Sequence, residues 1–125
     1  MRALVVDDSR AMRRILSKIL REVGFDEVLE AGHGLEALDV LREHGTQDLA
    51  LVDWNMPEMT GYDFVRLVRT QRIYDPMRLM MVTTESETER VVAALEAGAD
   101  EYVMKPFSSD IIREKLELLG ISAGR

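Results

Sequence analysis

Cysteine is absent from the 125-residue chain, so neither a disulfide framework nor a thiolate metal site can form. No apolar run approaches the roughly 18 residues that a membrane-spanning helix needs. The amino terminus also lacks the charged and then apolar stretch of a secretory signal. We therefore expect a cytoplasmic protein that contacts no membrane.

Basic residues are the minority among the charged side chains, with 16 lysines and arginines against 23 aspartates and glutamates. The formal net charge of -7 argues against a nucleic-acid binder, which needs a basic surface. The first predicted helix is a local exception, because it carries Arg10, Arg13, Arg14, Lys18 and Arg21. Two interpretations of this helix remain open: a solvated face, or a docking face for an acidic partner.

The length of the chain and the lack of linkers or low-complexity segments predict one domain over residues 1–125. A chain of this size buries about two-thirds of its unfolded surface without a disulfide or a metal. We expect a single monomeric domain with no effector domain attached.

Short apolar runs alternate with longer segments of helical periodicity along the whole chain. The predicted strands cover residues 3–6, 27–30, 49–52, 79–83 and 101–104. The predicted helices cover residues 9–23, 35–44 and 60–73, a fourth from Ser86 to Gly98, and a fifth capped by Ser108 or Ser109. The inward stripe of the first helix comprises Met12, Ile15, Leu16, Ile19, Leu20 and Val23.

Five strand–helix units in strict alternation predict an α/β fold, with a parallel sheet covered by five helices on its two faces. The first, third and fourth strands are almost continuously apolar, as central strands must be. The second and fifth carry charges, which suits edge strands. The flavodoxin-like order 2-1-3-4-5 satisfies both conditions with right-handed crossovers, and it places a ligand at the carboxyl ends of the first and third strands.

Polar side chains stand at the carboxyl ends of four of these strands. Asp7 and Asp8 follow the first strand, Asp53 the third, Thr83 ends the fourth, and Lys105 follows the fifth. Three carboxylates cannot lie close together without a cation, and Mg²⁺ prefers such oxygen ligands together with a phosphate oxygen. Lys105 and Thr83 could then contact the same phosphoryl group. Asp53 is the best-placed nucleophile for an aspartyl-phosphate.

The motifs "VVDDS", "MRRIL", "DWNMP", "MVTTE" and "AGADEYVMKPF" resemble, in type and order, those of the receiver domains of two-component response regulators, and most of all the single-domain chemotaxis type. The resemblance covers essentially the whole chain. It implies that Asp7 and Asp8 are the metal-binding pair and that Asp53 is the phosphoacceptor and a further metal ligand. It also implies that the backbone carbonyl of Asn55 binds the metal, which is Mg²⁺ with Mn²⁺ as a substitute.

The same resemblance implies roles for residues on the last two strands. Thr83 corresponds to the hydroxyl that senses the phosphoryl group, and Lys105 to the lysine that binds it. Pro106 follows Lys105 where the family has a cis peptide bond. Tyr102 corresponds to the aromatic side chain that swings inward when Thr83 moves, which is a population shift between two states.

Three residues around the acceptor are expected to set the rate of its chemistry. Asn55 and Glu85 resemble the pair found in chemotaxis regulators that dephosphorylate themselves quickly. Thr84 stands where the family usually has a smaller residue, and its bulk is expected to restrict access to Asp53.

The resemblance implies a signalling protein rather than an enzyme, one that catalyses only its own phosphorylation and dephosphorylation. Its expected partners are a sensor histidine kinase or histidine phosphotransfer protein, and an unknown output protein that binds the surface of helix 4, strand 5 and helix 5. Chemotaxis is one candidate process, although the acidic start of the fourth helix leaves binding to the flagellar switch open. A phosphate sink, a relay intermediate and a receiver cut from a larger regulator are the alternatives.

Two other classes of function fit the residues less well. An aspartyl-phosphate hydrolase needs an acid two positions after its nucleophile, where this chain has Asn55. A flavin carrier needs a glycine- and hydroxyl-rich first turn, whereas "VDDSRAM" is acidic.

Overall fold

A computed structural model describes residues 1–84 and 88–121 of the chain. Five strands form one parallel sheet in the order β2-β1-β3-β4-β5, as predicted. The strands are β1 (Arg2–Val6), β2 (Glu27–Ala31), β3 (Leu49–Asp53), β4 (Arg78–Thr83) and β5 (Glu101–Met104). The helices are α1 (Arg10–Val23), α2 (Gly34–His44), α3 (Gly61–Arg69), α4 (Thr88–Ala97) and α5 (Ser109–Leu118). None of the helices in the described part of the chain is both long and apolar enough to cross a membrane.

The period-2 pattern of the central strands divides the core between the two faces of the sheet. Leu4 and Val6 point to the face that α2, α3 and α4 cover, where Phe64 is fully buried. Ala3 and Val5 point to the face that α1 and α5 cover. Because β1, β3 and β4 are buried on both faces, their carboxyl ends are held rigidly at one rim of the sheet.

The predicted first helix is correct in extent and, apart from Ile15, in its buried stripe. Ser9 caps the helix, since its hydroxyl oxygen accepts a hydrogen bond from the backbone N–H of Met12 at 3.2 Å. Leu16 and Leu20 are buried as predicted, whereas the side chain of Ile15 is 49% exposed. Ile15 was expected to face inward, but it lies on the edge of the helix that turns away from the sheet.

The third helix is shorter than predicted, because it ends at Arg69 rather than at residue 73. The Thr70 hydroxyl donates a hydrogen bond to the Leu67 carbonyl at 2.6 Å and so competes with continuation of the helix. A 3₁₀ turn at Arg72–Tyr74 follows, which buries Tyr74 and leaves Ile73 70% exposed. The chain needs this tight turn to reach the start of β4.

The caps of the last two helices were also predicted. Ser108, and not Ser109, caps α5, because its hydroxyl accepts a hydrogen bond from the Ile111 N–H at 3.2 Å. The predicted cap at Ser86 lies outside the described residues.

Candidate functional site

The rim at the carboxyl ends of β1, β3, β4 and β5 brings distant residues together by continuing the ladder of the sheet. The Asp7 N–H donates to the Ala31 carbonyl at 3.1 Å, one residue beyond the end of β1. The Lys105 N–H donates to the Thr83 carbonyl at 2.7 Å, one residue beyond β5. Backbone hydrogen bonds therefore fix where Asp7 and Lys105 leave the sheet.

Three carboxylates form an acidic cluster at this rim. One carboxylate oxygen from each of Asp7, Asp8 and Asp53 lies within 4.8 Å of the other two. Asp7 and Asp53 are only 1% and 5% exposed, while Asp8 is open to solvent. The cluster thus has two buried members and one that faces the water.

The ammonium of Lys105 lies against both buried members of the cluster. Its Nζ atom is 3.3 Å from Asp7 Oδ2 and 3.5 Å from Asp53 Oδ1. The Lys105–Pro106 peptide bond is cis. One ammonium against three carboxylates leaves an excess of negative charge, which an oxygen-preferring cation would neutralise.

The pKa of Asp53 responds to this crowding. Burial raises the pKa from 3.8 to about 6, and the charge of Asp7 adds to the increase. The ammonium of Lys105 and the backbone N–H of Asn55 act in the opposite direction. Removing negative charge from the cluster, or adding a cation to it, therefore lowers the pKa of Asp53 and favours its ionised form.

The residues present fit a bound magnesium ion. The donor set is entirely oxygen, one of its members is exposed for exchange with water, and the buried carboxylate at its centre carries an unfavourable charge. Asp7, Asp8 and Asp53 are the side chains that could hold the ion. Asn55 follows β3 in the sequence and is exposed at the same rim.

Arg13 holds the acidic cluster in place from the first helix. Its guanidinium donates to the Asp7 carbonyl at 2.6 Å and pairs with Glu30 at 3.2 Å. Asp7 is further fixed because its Oδ1 atom accepts the Ser9 N–H at 2.8 Å. The sequence pattern did not distinguish Arg13 from the other basic residues of its helix, because Glu30 lies on another element.

Gly61 is a second residue that the sequence did not single out. A Cβ atom there would collide with the backbone carbonyl of Asp53, so only glycine lets α3 begin this close to the end of β3. The Gly61 N–H donates to the Trp54 carbonyl at 2.9 Å and closes the loop. Glu58, in the same loop, has a φ of 68°, which lies in the left-handed region that non-glycine residues seldom adopt.

A small cavity lies between α4 and the rim, and Thr83 and Tyr102 both line it. Thr83 is 3% exposed, and Tyr102 is partly buried. The Lys115 ammonium lies 4.7 Å from the centre of the Tyr102 ring, and the Arg90 guanidinium lies 5.3 Å from the Trp54 ring. Thr83 and Tyr102 therefore line the same cavity.

The structure brings together most, but not all, of the predicted site. Asp7, Asp8, Asp53 and Lys105 form one cluster, and Thr83 ends the neighbouring strand. Thr84 is exposed beside it. Glu85, the predicted partner of Asn55, lies outside the described residues.

Comparison with known proteins agrees with this geometry. Residues 3–117 match the model of the response regulator receiver domain. The chain belongs to the response regulator receiver domain family. A chemotaxis protein CheY homolog of Campylobacter jejuni is 46% identical over 99% of this chain and 96% of its own length. Chemotaxis protein CheY1 of Helicobacter pylori is 43% identical over 95% of this chain and 96% of its own length.

Solved structures give the same assignment for the fold of this receiver domain. Chemotaxis protein CheY4 of Vibrio cholerae superposes with a TM-score of 0.86 at 35% identity, over 94% of this chain and 96% of that one. The receiver domain of a Francisella response regulator superposes with a TM-score of 0.83 at 28% identity, over 94% of each chain. The predicted family and fold are therefore confirmed.

Proposed function

We propose that this receiver domain accepts a phosphoryl group on Asp53 from a phosphohistidine of a sensor kinase or a phosphotransfer protein. A carboxylate oxygen of Asp53 attacks the phosphorus atom, forming a P–O bond while the P–N bond to the histidine breaks. The departing imidazole keeps the electron pair of that bond and takes a proton from solvent. The product is an acyl phosphate on Asp53.

The surroundings of the Asp53 carboxylate carry this proposal. This group is 5% exposed, its pKa is raised to about 6, and it sits between a carboxylate cluster and the ammonium of Lys105. A buried carboxylate that faces other carboxylates and only one ammonium lowers the stability of the fold. Such groups with shifted pKa values are concentrated at functional sites. The position of Asp53 at the carboxyl end of a central strand places its carboxylate at the rim where sheets of this kind bind their ligands.

The other residues of the rim have distinct roles in the proposal. Asp7, Asp8 and Asp53, with the backbone carbonyl of Asn55, would hold the magnesium ion. When bound, Mg²⁺ neutralises the cluster and the charge of the incoming phosphoryl group. Lys105 offers a fixed ammonium to a phosphoryl oxygen as charge develops there.

Thr83 and Tyr102 link the acceptor to a distant surface. The Thr83 hydroxyl would donate to a phosphoryl oxygen, and its displacement would open the shared cavity to the Tyr102 ring. That movement would change the surface formed by α4, β5 and α5, where the output protein binds. The phosphoryl group acts as the ligand that shifts this two-state equilibrium.

Chemotaxis is the process that we propose for this signal, because the relatives named above are chemotaxis proteins of similar length. The output partner is a protein that distinguishes the phosphorylated from the unphosphorylated surface. We propose that the receiver acts as a monomer.

The decisive experiment is intact-mass measurement after incubation with acetyl phosphate and Mg²⁺. The wild-type protein should gain one phosphoryl group, and it should gain none in EDTA. Asp53→Asn should gain none under either condition, while Asp39→Asn, an exposed aspartate on α2, should behave as wild type. Wild-type protein that stays unmodified with Mg²⁺ or Mn²⁺ present would refute the proposal.

A further inference from the structure

Trp54 forms a fixed aromatic platform directly after Asp53 in the chain. Its backbone N–H donates to the Val82 carbonyl at 3.3 Å, and its carbonyl accepts the Gly61 N–H at 2.9 Å. Trp54 is 9% exposed, and its indole stacks on the Tyr62 ring, with 5.5 Å between the ring centres and 24° between the planes. Because both its backbone and its ring are held, Trp54 can anchor a neighbouring element.

Two arginines from different helices cap this aromatic pair. The guanidinium of Arg66, on α3, lies 5.6 Å from the centre of the Tyr62 ring. The guanidinium of Arg90, on the first turn of α4, lies 5.3 Å from the centre of the Trp54 ring. Cations within about 6 Å of an aromatic face are attracted by the ring. The four side chains therefore form a ladder that runs from α3 through Trp54 to α4.

Arg90, unlike Arg66, also lines the small cavity between α4 and the rim. The α4 wall of that cavity consists of Arg90, Val91 and Ala94. Its volume is about 10 Å³, which holds about one water molecule and is far too small for an aromatic ring. The Thr83 side chain is also smaller than a ring, so its displacement alone cannot make room for Tyr102. Entry of the Tyr102 ring therefore requires the start of α4 to move outward.

The helix α4 is packed weakly against the rest of the domain. Among residues 89–97 only Ala94 is buried, and its side chain is a single methyl group. Little apolar surface therefore fixes this helix to the sheet. A contact between its first turn and a fixed ring has a larger share in holding it than the same contact would have on a well-packed helix.

We propose that Arg90 is a positioning residue of the switch, which holds α4 over the cavity through its contact with Trp54 and must release that contact before Tyr102 can enter. This proposal rests on the proposed function, which assigns the movement of Tyr102 to phosphorylation of Asp53. A contact that is made in only one of two states shifts their populations toward that state. The Arg90 contact therefore opposes switching until the phosphoryl group offsets it.

The test measures how tightly the magnesium-loaded protein binds beryllofluoride, a mimic of the acyl phosphate. Arg90→Leu removes the cation and keeps an apolar side chain over the cavity. Arg66→Leu is the matched control, since it removes the same charge and the same kind of contact from a residue that does not line the cavity. Arg90→Lys keeps the cation. Fluorine NMR gives the dissociation constant, and the ring proton signals of Tyr102 report its surroundings.

Arg90→Leu should bind beryllofluoride more tightly than the wild type, by about 2- to 30-fold, which is the factor that a cation–π contact contributes to a two-state equilibrium. The Tyr102 signals of this variant should already lie closer to their beryllofluoride-bound positions before the mimic is added. Arg90→Lys should fall between the wild type and Arg90→Leu, and Arg66→Leu should match the wild type. Damage to the fold would weaken binding, so tighter binding separates a positioning role from a structural one.

Equal affinity of Arg90→Leu and Arg66→Leu, or weaker binding by Arg90→Leu than by the wild type, would overturn the proposal. So would equally tight binding by the lysine and leucine variants, because the cation would then play no part. Two other results would refute the proposed function, and the role of Arg90 with it. These are wild-type protein that does not bind beryllofluoride, and wild-type protein that binds it without any change in the Tyr102 signals.

Discussion

The Nζ atom of Lys105 lies 3.5 Å from Oδ1 of Asp53, although 52 positions separate the two residues in the chain. The contact exists because β5 pairs with β4, and β4 pairs with the strand that ends at Asp53. The ammonium is only 18% exposed, so water screens it weakly. It can therefore stabilise negative charge on a phosphoryl group more effectively than a surface lysine could.

Replacing Lys105 with glutamine should slow phosphorylation more than it destabilises the fold. We expect the rate with acetyl phosphate at saturating Mg²⁺ to fall about tenfold or more, because a preorganised donor at a reacting oxygen is typically worth 10²–10³. Lys115→Gln is the matched control, since Lys115 contacts Glu101 and Tyr102 and not the acidic cluster. Similar rates for the two variants would assign Lys105 a structural role only.

Asp53→Asn should stabilise the magnesium-free protein in a pH-dependent way. The pKa of Asp53 is about 6 in the fold against 3.8 when unperturbed, so folding favours the protonated acid. That contribution is complete below about pH 4 and is lost as the pH rises through 6. At about pH 8 the asparagine variant should therefore unfold with a free energy larger by on the order of 1–3 kcal/mol.

Urea unfolding at a series of pH values measures this gain. The gain should shrink toward zero between about pH 6 and pH 4, and saturating Mg²⁺ should narrow it at high pH by binding the wild-type fold. Asp39→Asn, on the solvent side of α2, should show no such dependence. A constant gain across the whole range would mean that packing, and not charge, separates the two proteins.

The pattern of apolar residues predicted which strands are central, and right-handed crossovers are compatible with the observed order. Strands buried on both faces had to be central, and the charges of β2 and β5 placed them at the edges. The end of α3 was not predictable in the same way, because the apolar residue Ile73 continues the helical period. The helix ends instead where the Thr70 hydroxyl donates a hydrogen bond to the Leu67 carbonyl.

The acidic cluster was predictable because parallel strands bring their carboxyl ends to one rim. Contacts that depend on the conformations of long side chains were not predictable from the sequence. Nothing in the spacing shows that Arg13 would pair with Glu30, or that His33 would cap α2 by accepting the Glu36 N–H on its Nδ1 atom at 3.2 Å. Such contacts join elements, or use an uncommon capping residue, and leave no periodic signal.

Arg69 is the clearest case of a structural residue hidden in the sequence. Its guanidinium donates to the carbonyl oxygens of Tyr74, Met77 and Gly98 at 2.9, 2.7 and 2.9 Å, and to Asp100 at 3.0 Å. These contacts join the end of α3 to the start of β4 and to the turn before β5. Arg69→Ala should lower the free energy of unfolding by roughly 2–4 kcal/mol, because three partly buried carbonyls lose a charged donor.

Thermal and urea unfolding of Arg69→Ala and Arg72→Ala would check this expectation. Arg72 is exposed three residues further along the chain, and its replacement should change stability by less than about 0.5 kcal/mol. Arg69→Ala that remains folded should still accept a phosphoryl group on Asp53, because the cluster lies at the opposite end of the sheet. Equal stability of the two variants would show that water replaces the guanidinium without cost.

Thr84→Ala should increase the rate of phosphorylation by acetyl phosphate several-fold. Thr84 is exposed directly after Thr83 and so lies beside the mouth of the site, where a smaller side chain leaves the donor a wider approach to Asp53. Thr84→Val keeps the bulk but lacks the hydroxyl, and it should stay close to the wild-type rate.

Two outcomes would contradict this expectation. If the valine variant also reacts faster, the hydroxyl and not the bulk restrains the reaction. If the alanine variant reacts at the wild-type rate, Thr84 does not restrict access to Asp53. The rates are compared at saturating Mg²⁺, so that a change in metal affinity does not enter.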